Sequence, residues 1–116
     1  MSGLVLSGVI LAGGGSRRMG RDKAVLVYEG EPLVVRVARR LASVCDDVVV
    51  ASGDGARLGD LGPGLAQVAD ALAGAGPLAG IVAGLEAARQ ALVAVVAVDM
   101  PDLDTALLSD LASRWD

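Results

Sequence analysis

Leu4-Val5-Leu6-Ser7-Gly8-Val9-Ile10-Leu11-Ala12-Gly13-Gly14-Gly15-Ser16-Arg17-Arg18-Met19-Gly20-Arg21-Asp22-Lys23-Ala24 is an apolar run that breaks into glycines and then into basic residues. Leu4 to Leu11, with its β-branched residues, reads as a buried strand. Gly13-Gly14-Gly15-Ser16 ends it. No basic residue precedes the run, since the first is Arg17. The segment therefore reads as a first strand and not as a secretory leader.

Outward from this stretch, Pro32 to Cys45 carries Leu33, Val34, Val37, Leu41 and Val44 at the spacing of one helical face. Arg36, Arg39, Arg40 and Ser43 fall on the other side, most simply as a solvated face. Pro32 suits a first helical turn. Asp47 to Ser52 is a valine-rich strand of the kind buried on both faces in a parallel sheet. Residues 53 to 64 are a Gly-rich loop, Leu65 to Ala69 a short third strand and Asp70 to Gly76 a loop. Pro77 to Gln90 reads as a helix with Leu78, Ile81, Val82 and Leu85 inward. Ala91 to Val98 is a fourth strand, and Asp104 to Arg114 an amphipathic helix with Asp104 as N-cap. The order β-α-β-β-α-β-α predicts a single domain over residues 1–116. Its class is α/β: an open, mainly parallel, doubly wound sheet with helices on both faces. Ligands in such sheets sit at the carboxyl ends of the strands.

Composition narrows the chemistry. Of the 116 residues 53% are hydrophobic, yet there is no Phe, one Tyr and one Trp, so aliphatic side chains must fill the core. The net charge of −4 excludes polyanion binding by bulk charge. The missing aromatics exclude a stacking platform for single-stranded nucleic acid. Cys45 is the only cysteine, so no intrachain disulfide forms. It reads as a small core residue. The absence of His removes Ser-His-Asp triads, Cys-His dyads and His-ligated zinc. What remains is chemistry by carboxylates, one lysine, arginines, backbone amides and hard metal ions. The apolar run Ala91 to Val98 is too short to span a bilayer as a helix. The composition reads as a soluble, cytoplasmic protein.

Glycines let a backbone approach a phosphate closely, so that successive N–H groups point at one anion. Lys23, the only lysine of the chain, falls inside this loop together with Arg17, Arg18 and Arg21. Two familiar phosphate loops are excluded. Gly15 and Gly20 have the Walker A gap, but Arg21-Asp22 follow; Gly13 and Gly15 open a dinucleotide fingerprint, but Arg18 stands where its third glycine belongs. Glycine and charge alone leave two readings open: a phosphate cradle, or a Gly-rich turn beside an exposed basic loop.

Leu11-Ala12-Gly13-Gly14-Gly15-Ser16-Arg17-Arg18-Met19-Gly20-Arg21-Asp22-Lys23-Ala24 resembles, over all fourteen positions, the signature loop of the molybdenum cofactor guanylyltransferases, within the nucleoside-triphosphate transferase superfamily. Two further stretches agree. Asp70 to Ile81 resembles the family's Asp-containing loop and Gly-Pro-Leu-Ala-Gly turn, which border guanine and ribose. Val98-Asp99-Met100-Pro101 resembles its metal-binding Asp-x-Pro. Leu-Ala-Gly-Gly and Met100 favour the guanylyl branch over cytidylyl relatives. One departure stands at the end of the second strand, where relatives tend to carry Asn and this chain has Ala51 followed by Ser52. A guanosine contact there is either missing or supplied by Ser52.

The resemblance implies a Rossmann-like nucleotidyltransferase fold and transfer of GMP from GTP to molybdopterin, with release of pyrophosphate. It implies nucleotide binding by Leu11, Ala12, Gly13, Gly14, Gly15, Ser16, Lys23, Asp70 and Asp99, with Lys23 and Arg18 as catalytic residues and Asp99 as ligand to Mg2+. On residue type alone, Asp99 also reads as a turn Asp before Pro101, and Asp70 as a loop-initiating Asp. Asp102 and Asp104 read as turn and cap residues, and Arg17 as a solvated loop charge. The implied partners are GTP and molybdopterin, with molybdoenzymes or other cofactor-synthesis proteins, and neither nucleic acid nor membrane. The resemblance further implies that this is an N-terminal part, since relatives continue past the fourth strand. An edge left open there predicts homo-oligomerisation. The alternatives are a cytidylyltransferase of the same pterin, a guanylyltransferase for another small phosphate, and a nucleotide-binding module without turnover.

Overall fold

The computed structural model describes residues 6–12, 17–18, 21–22, 27–28, 30–53, 55, 58–59, 61–62, 65–69, 77–90, 92–98 and 105–114. Strand β1 (Leu6–Leu11) is followed by the short strands β2 (Arg17–Arg18), β3 (Arg21–Asp22), β4 (Val27–Tyr28) and β5 (Glu31–Pro32). Then come α1 (Leu33–Ala42), β6 (Asp47–Gly53), β7 (Ala66–Ala69), α2 (Pro77–Ala87), β8 (Leu92–Ala97) and α3 (Thr105–Ser113). β1, β6, β7 and β8 form one sheet in the order β7-β6-β1-β8, with every pairing parallel. This is the predicted α/β arrangement, with β1 central.

Two antiparallel hairpins, β2–β3 and β4–β5, were not anticipated from the sequence. Each joins its strands through two residues, the second a glycine, and Gly30 has φ +88°. In the β4–β5 hairpin the turn uses positive φ at Gly30, which glycine adopts without strain.

Successive side chains of a strand point to opposite faces of the sheet. A Cβ added at Gly8 would lie 3.2 Å from Cys45 Sγ and 3.2 Å from Leu41 Cδ1, so this face of β1 meets the C-terminal end of α1. Val9, on the opposite face, meets Gly84 of α2. The two helices therefore cover opposite faces. Leu108 and Ala112 of α3 pack against the same cluster as α1, which holds Leu6, Ile10, Val34, Val37, Leu41 and Val50. The core is aliphatic, as the composition requires. Each such residue contributes about 1.5–3 kcal/mol when fully buried.

The orientation of α2 corrects the sequence reading. Ala79, Gly80, Ala83 and Gly84 are buried, while Val82 is 38% and Leu85 48% exposed. Ile81 is half-buried, and the side chain of Leu78 lies outside the described residues. The periodicity of large apolar residues pointed them inward. The helix instead lies so close to β1 that its contact face holds only small side chains. A Cβ at Gly84 would come within 2.8 Å of Val9 Cγ2 and closer still to Cγ1.

The arginine face of α1 is also less solvated than its pattern suggested. Glu31 of β5 pairs with Arg39 and lies 3.8 Å from Arg36 Nη1, whose side chain is only 13% exposed. The Arg39 hydrogen bond holds the Glu31 carboxyl below its usual range. Cys45 is buried, as expected, and desolvation, with the nearby Asp47 charge, pushes its thiol up to about 11.

At the amino ends of the strands a polar clasp closes the sheet. Fully buried Ser7 donates its hydroxyl to Asp47 Oδ1 and accepts from the Gln90 amide at 3.0 Å. The Arg89 amide donates to Asp47 Oδ2 at 3.3 Å, and Gln90 Nε2 to Asp46 Oδ2 at 2.8 Å. The clasp ties the turn between α2 and β8 to the starts of β1 and β6. Ser7→Ala strands the Gln90 amide and one Asp47 oxygen, and is expected to cost about 1–3 kcal/mol of unfolding free energy. Urea denaturation with an unchanged midpoint would show that the clasp contributes nothing.

Candidate nucleotide site

Because the four strands are parallel, all their carboxyl ends lie along one edge of the sheet. Leu11 ends β1 there half-buried, and Ala12 is fully buried. The Ala12 amide donates to Ala51 O at 2.9 Å, and the Val98 amide donates to Leu11 O at 3.2 Å. The chain thus leaves the sheet for the glycine loop pinned to both neighbours, β6 on one side and β8 on the other. A backbone held this way enters the loop with a fixed direction, the first requirement for aiming amides at an anion.

Gly13, Gly14, Gly15, Ser16, Lys23, Asp70 and Asp99 lie outside the described residues. Their chain neighbours do not. Gly13 follows Ala12 at the end of β1, Asp70 follows Ala69 at the end of β7, and Asp99 follows Val98 just past β8. With strands about 4.8 Å apart, these departures spread over about 14 Å of one sheet edge. Arg18 belongs to β2, where its backbone pairs with Arg21 of β3. The glycine loop is therefore interrupted by a hairpin and is not the continuous loop read from the sequence.

The end of β6 has a feature that sequence reasoning missed. Pairing with β7 shifts register between Ala51 and Gly53, which leaves Ser52 as a bulge, and Gly53 has φ +94°. Bulges of this kind occur beside functional sites, where they end pairing and redirect the chain. Its only sequence signal is the glycine that follows Ser52. Ala51 and Ser52 are 1% and 0% exposed, so neither offers open surface in place of the Asn that relatives tend to carry. The described residues also form a groove at the opposite, amino end of the strands, lined by Asp46, Asp47, Val49, Leu65, Val68 and Arg89.

The profile of the MobA-like NTP transferase domain matches residues 8–116. The chain belongs to this family. A probable molybdenum cofactor guanylyltransferase of Opitutus terrae is 46% identical over 110 residues, covering 91% of this chain and 54% of the relative. The molybdenum cofactor guanylyltransferase of Burkholderia vietnamiensis is 41% identical over 116 residues, covering 96% and 57%. A probable molybdenum cofactor guanylyltransferase of Pelotomaculum thermopropionicum is 48% identical over 101 residues, covering 84% and 47%. The chain spans about half the length of these curated relatives. The MobA-like assignment agrees with the glycine loop placed after the central strand. Among the described residues, no helix is long and apolar enough to cross a membrane.

The bulge generates a prediction of its own. Gly53→Val puts a β-branched side chain at positive φ and is expected to cost about 1–3 kcal/mol of stability. Equal denaturation midpoints for wild type and variant would show that the end of β6 relaxes without strain.

Proposed function

We propose that this chain is the nucleotide-binding N-terminal part of a guanylyltransferase that transfers GMP from GTP to molybdopterin and releases pyrophosphate. The observation that supports it best is the glycine loop leaving the central strand of a MobA-like chain, where parallel sheets bind ligands. In this reading the amides of Gly13 to Ser16 and the Arg18 guanidinium hold the triphosphate, and Leu11 and Ala12 set the entry of the loop. Lys23 neutralises charge on the α-phosphate as a phosphate oxygen of molybdopterin attacks in line. Asp70 contacts the nucleoside. Asp99 offers a hard carboxylate oxygen, the donor type that magnesium prefers, and the Val98–Leu11 hydrogen bond fastens its chain beside the start of the glycine loop. Bound Mg2+ would supply charge neutralisation at the phosphates. The protein provides no nucleophile, so catalysis rests on positioning and charge stabilisation. A cytoplasmic location and contacts with molybdoenzymes or other cofactor-synthesis proteins belong to the same proposal.

Among the described residues no strand pairs with the outer edge of β8, which supports the self-association reading. β8 is entirely apolar, from Leu92 to Ala97, and carries neither charge nor proline to discourage pairing. The other edge, β7, is only four residues long, and Gln67 binds the neighbouring segment through Leu58 N at 3.2 Å and Gly59 O at 2.7 Å.

Lys23→Ala, placed in a complete enzyme carrying this segment, is expected to lower turnover about 10²–10³-fold while changing the GTP dissociation constant only a few-fold. Equal losses in both quantities would count against the role of Lys23. The purified 116-residue chain is expected to bind GTP in preference to CTP, to self-associate by light scattering, and to release no pyrophosphate with GTP, magnesium and molybdopterin. Tenfold tighter CTP binding would replace the guanylyl reading with the cytidylyl one. Turnover like that of a full-length relative would show that the acceptor side needs nothing beyond this segment.

A further inference from the structure

We propose that the clasp of Ser7 and Asp47 is a register lock, which selects one alignment of β8 on β1 where the sequence of β8 leaves two-residue slides open.

β8 carries little information about its own alignment. It reads Leu92-Val93-Ala94-Val95-Val96-Ala97 and is apolar on both faces. A slide of one residue would turn the buried Val96 and Val98 to the face on which Val95 is exposed, and is disfavoured. A slide of two residues keeps every side chain on its face and only exchanges Leu, Val and Ala for one another. The backbone is no better guide, since each such alignment offers β1 the same repeating amides and carbonyls. β6 is different, because it lies between β1 and β7 and is held from both sides. Among the described residues β8 has β1 as its only strand partner.

The polar contacts just ahead of β8 are specific where the strand is not. The Gln90 amide donates to the Ser7 hydroxyl at 3.0 Å, and the Arg89 amide to Asp47 Oδ2 at 3.3 Å. Ser7 donates in turn to Asp47 Oδ1, so one carboxylate joins the starts of β1 and β6 to the turn before β8. Ser7 is wholly buried, so solvent does not make good a broken bond there. A two-residue slide carries Gln90 about 6.6 Å along the sheet, beyond any hydrogen bond to Ser7. A buried polar contact fixes register in this way by penalising the alternatives. The selected alignment pairs Leu6 with Leu92 and Leu11 with Ala97, and it brings the Val98 amide to Leu11 O at 3.2 Å. That junction lies about 13 Å along β1 from Ser7, so it reports the lock from a distance.

Amide hydrogen exchange and cross-strand proton contacts, measured by NMR on the 116-residue chain, provide the test. The Val98 amide reports β8 on β1, and the Ala12 amide, bonded to Ala51 O at 2.9 Å, reports β1 on β6. In Ser7→Ala the Val98 amide is expected to exchange about tenfold faster, relative to Ala12, than in wild type. The backbone protons of Val9, which face Val95 in the native register, are expected to gain contacts with Val93 or Ala97. Should Ser7→Ala fail to fold, Asp47→Asn keeps the size of the side chain, weakens the same bonds and is expected to give the same two signals. Equal acceleration of both amides marks a general loss of stability, and unchanged rates mark no role; either overturns the inference. Selective acceleration with contacts to Val95 alone marks fraying in the native register and overturns it too, as does failure of both variants to fold.

Discussion

The close packing of α2 on β1 is the constraint from which most of the architecture follows. β1 is buried on both faces, between α1 at Gly8 and α2 at Val9, and is hydrogen-bonded on both edges to β6 and β8. From Leu6 to Ile10 every residue of this strand is buried, and only Leu11 at its end is half-buried. It acts as the fixed axis of the sheet. The helices approach it as closely as a glycine on one side of each contact allows: Gly8 on the strand toward α1, Gly84 on the helix toward α2. Packing at that distance tolerates almost no change in volume.

The same constraint inverts α2. A helix ordinarily buries its largest apolar residues, but the space above β1 admits only Ala and Gly, so Val82 and Leu85 are left outward. Val95 of β8, on the same face of the sheet, is 36% exposed. These surfaces cost free energy while they face water.

The chemistry is consistent with so plain a scaffold. The chain has no histidine, and its single cysteine is buried with its thiol held neutral by desolvation. A buried, neutral thiol is a poor nucleophile, and no histidine relay is available to these residues. Amides at the end of a rigid strand, one lysine, arginines and carboxylates at strand ends are what is left. In the proposed reading these groups act by where they are held. The polar clasp of Ser7, Asp47 and Gln90 belongs to that task from the far end of the sheet, since it keeps β1, β6 and the turn before β8 in fixed register.

Much of this was legible in the residues themselves. Valine-rich runs with β-branched residues, a glycine cluster after the first of them and one amphipathic helical period between the first two determined the strands, α1 and the parallel α/β class. They do so because strand burial and helical spacing are properties of local sequence. The glycine loop and the aspartates after Ala69 and Val98 determined the candidate site, because chemistry-bearing residues at strand ends converge wherever the strands are parallel. Other features depended on the tertiary structure. Which face of α2 turns inward was decided by the distance between helix and strand at Gly84 and Val9, and periodicity carries no information about that distance. The bulge at Ser52, the hairpin that interrupts the glycine loop and the partnership of Ser7 with Asp47, forty positions away, were likewise decided by register and proximity. Such contacts exist only once separate segments have been brought together, and no local pattern records them.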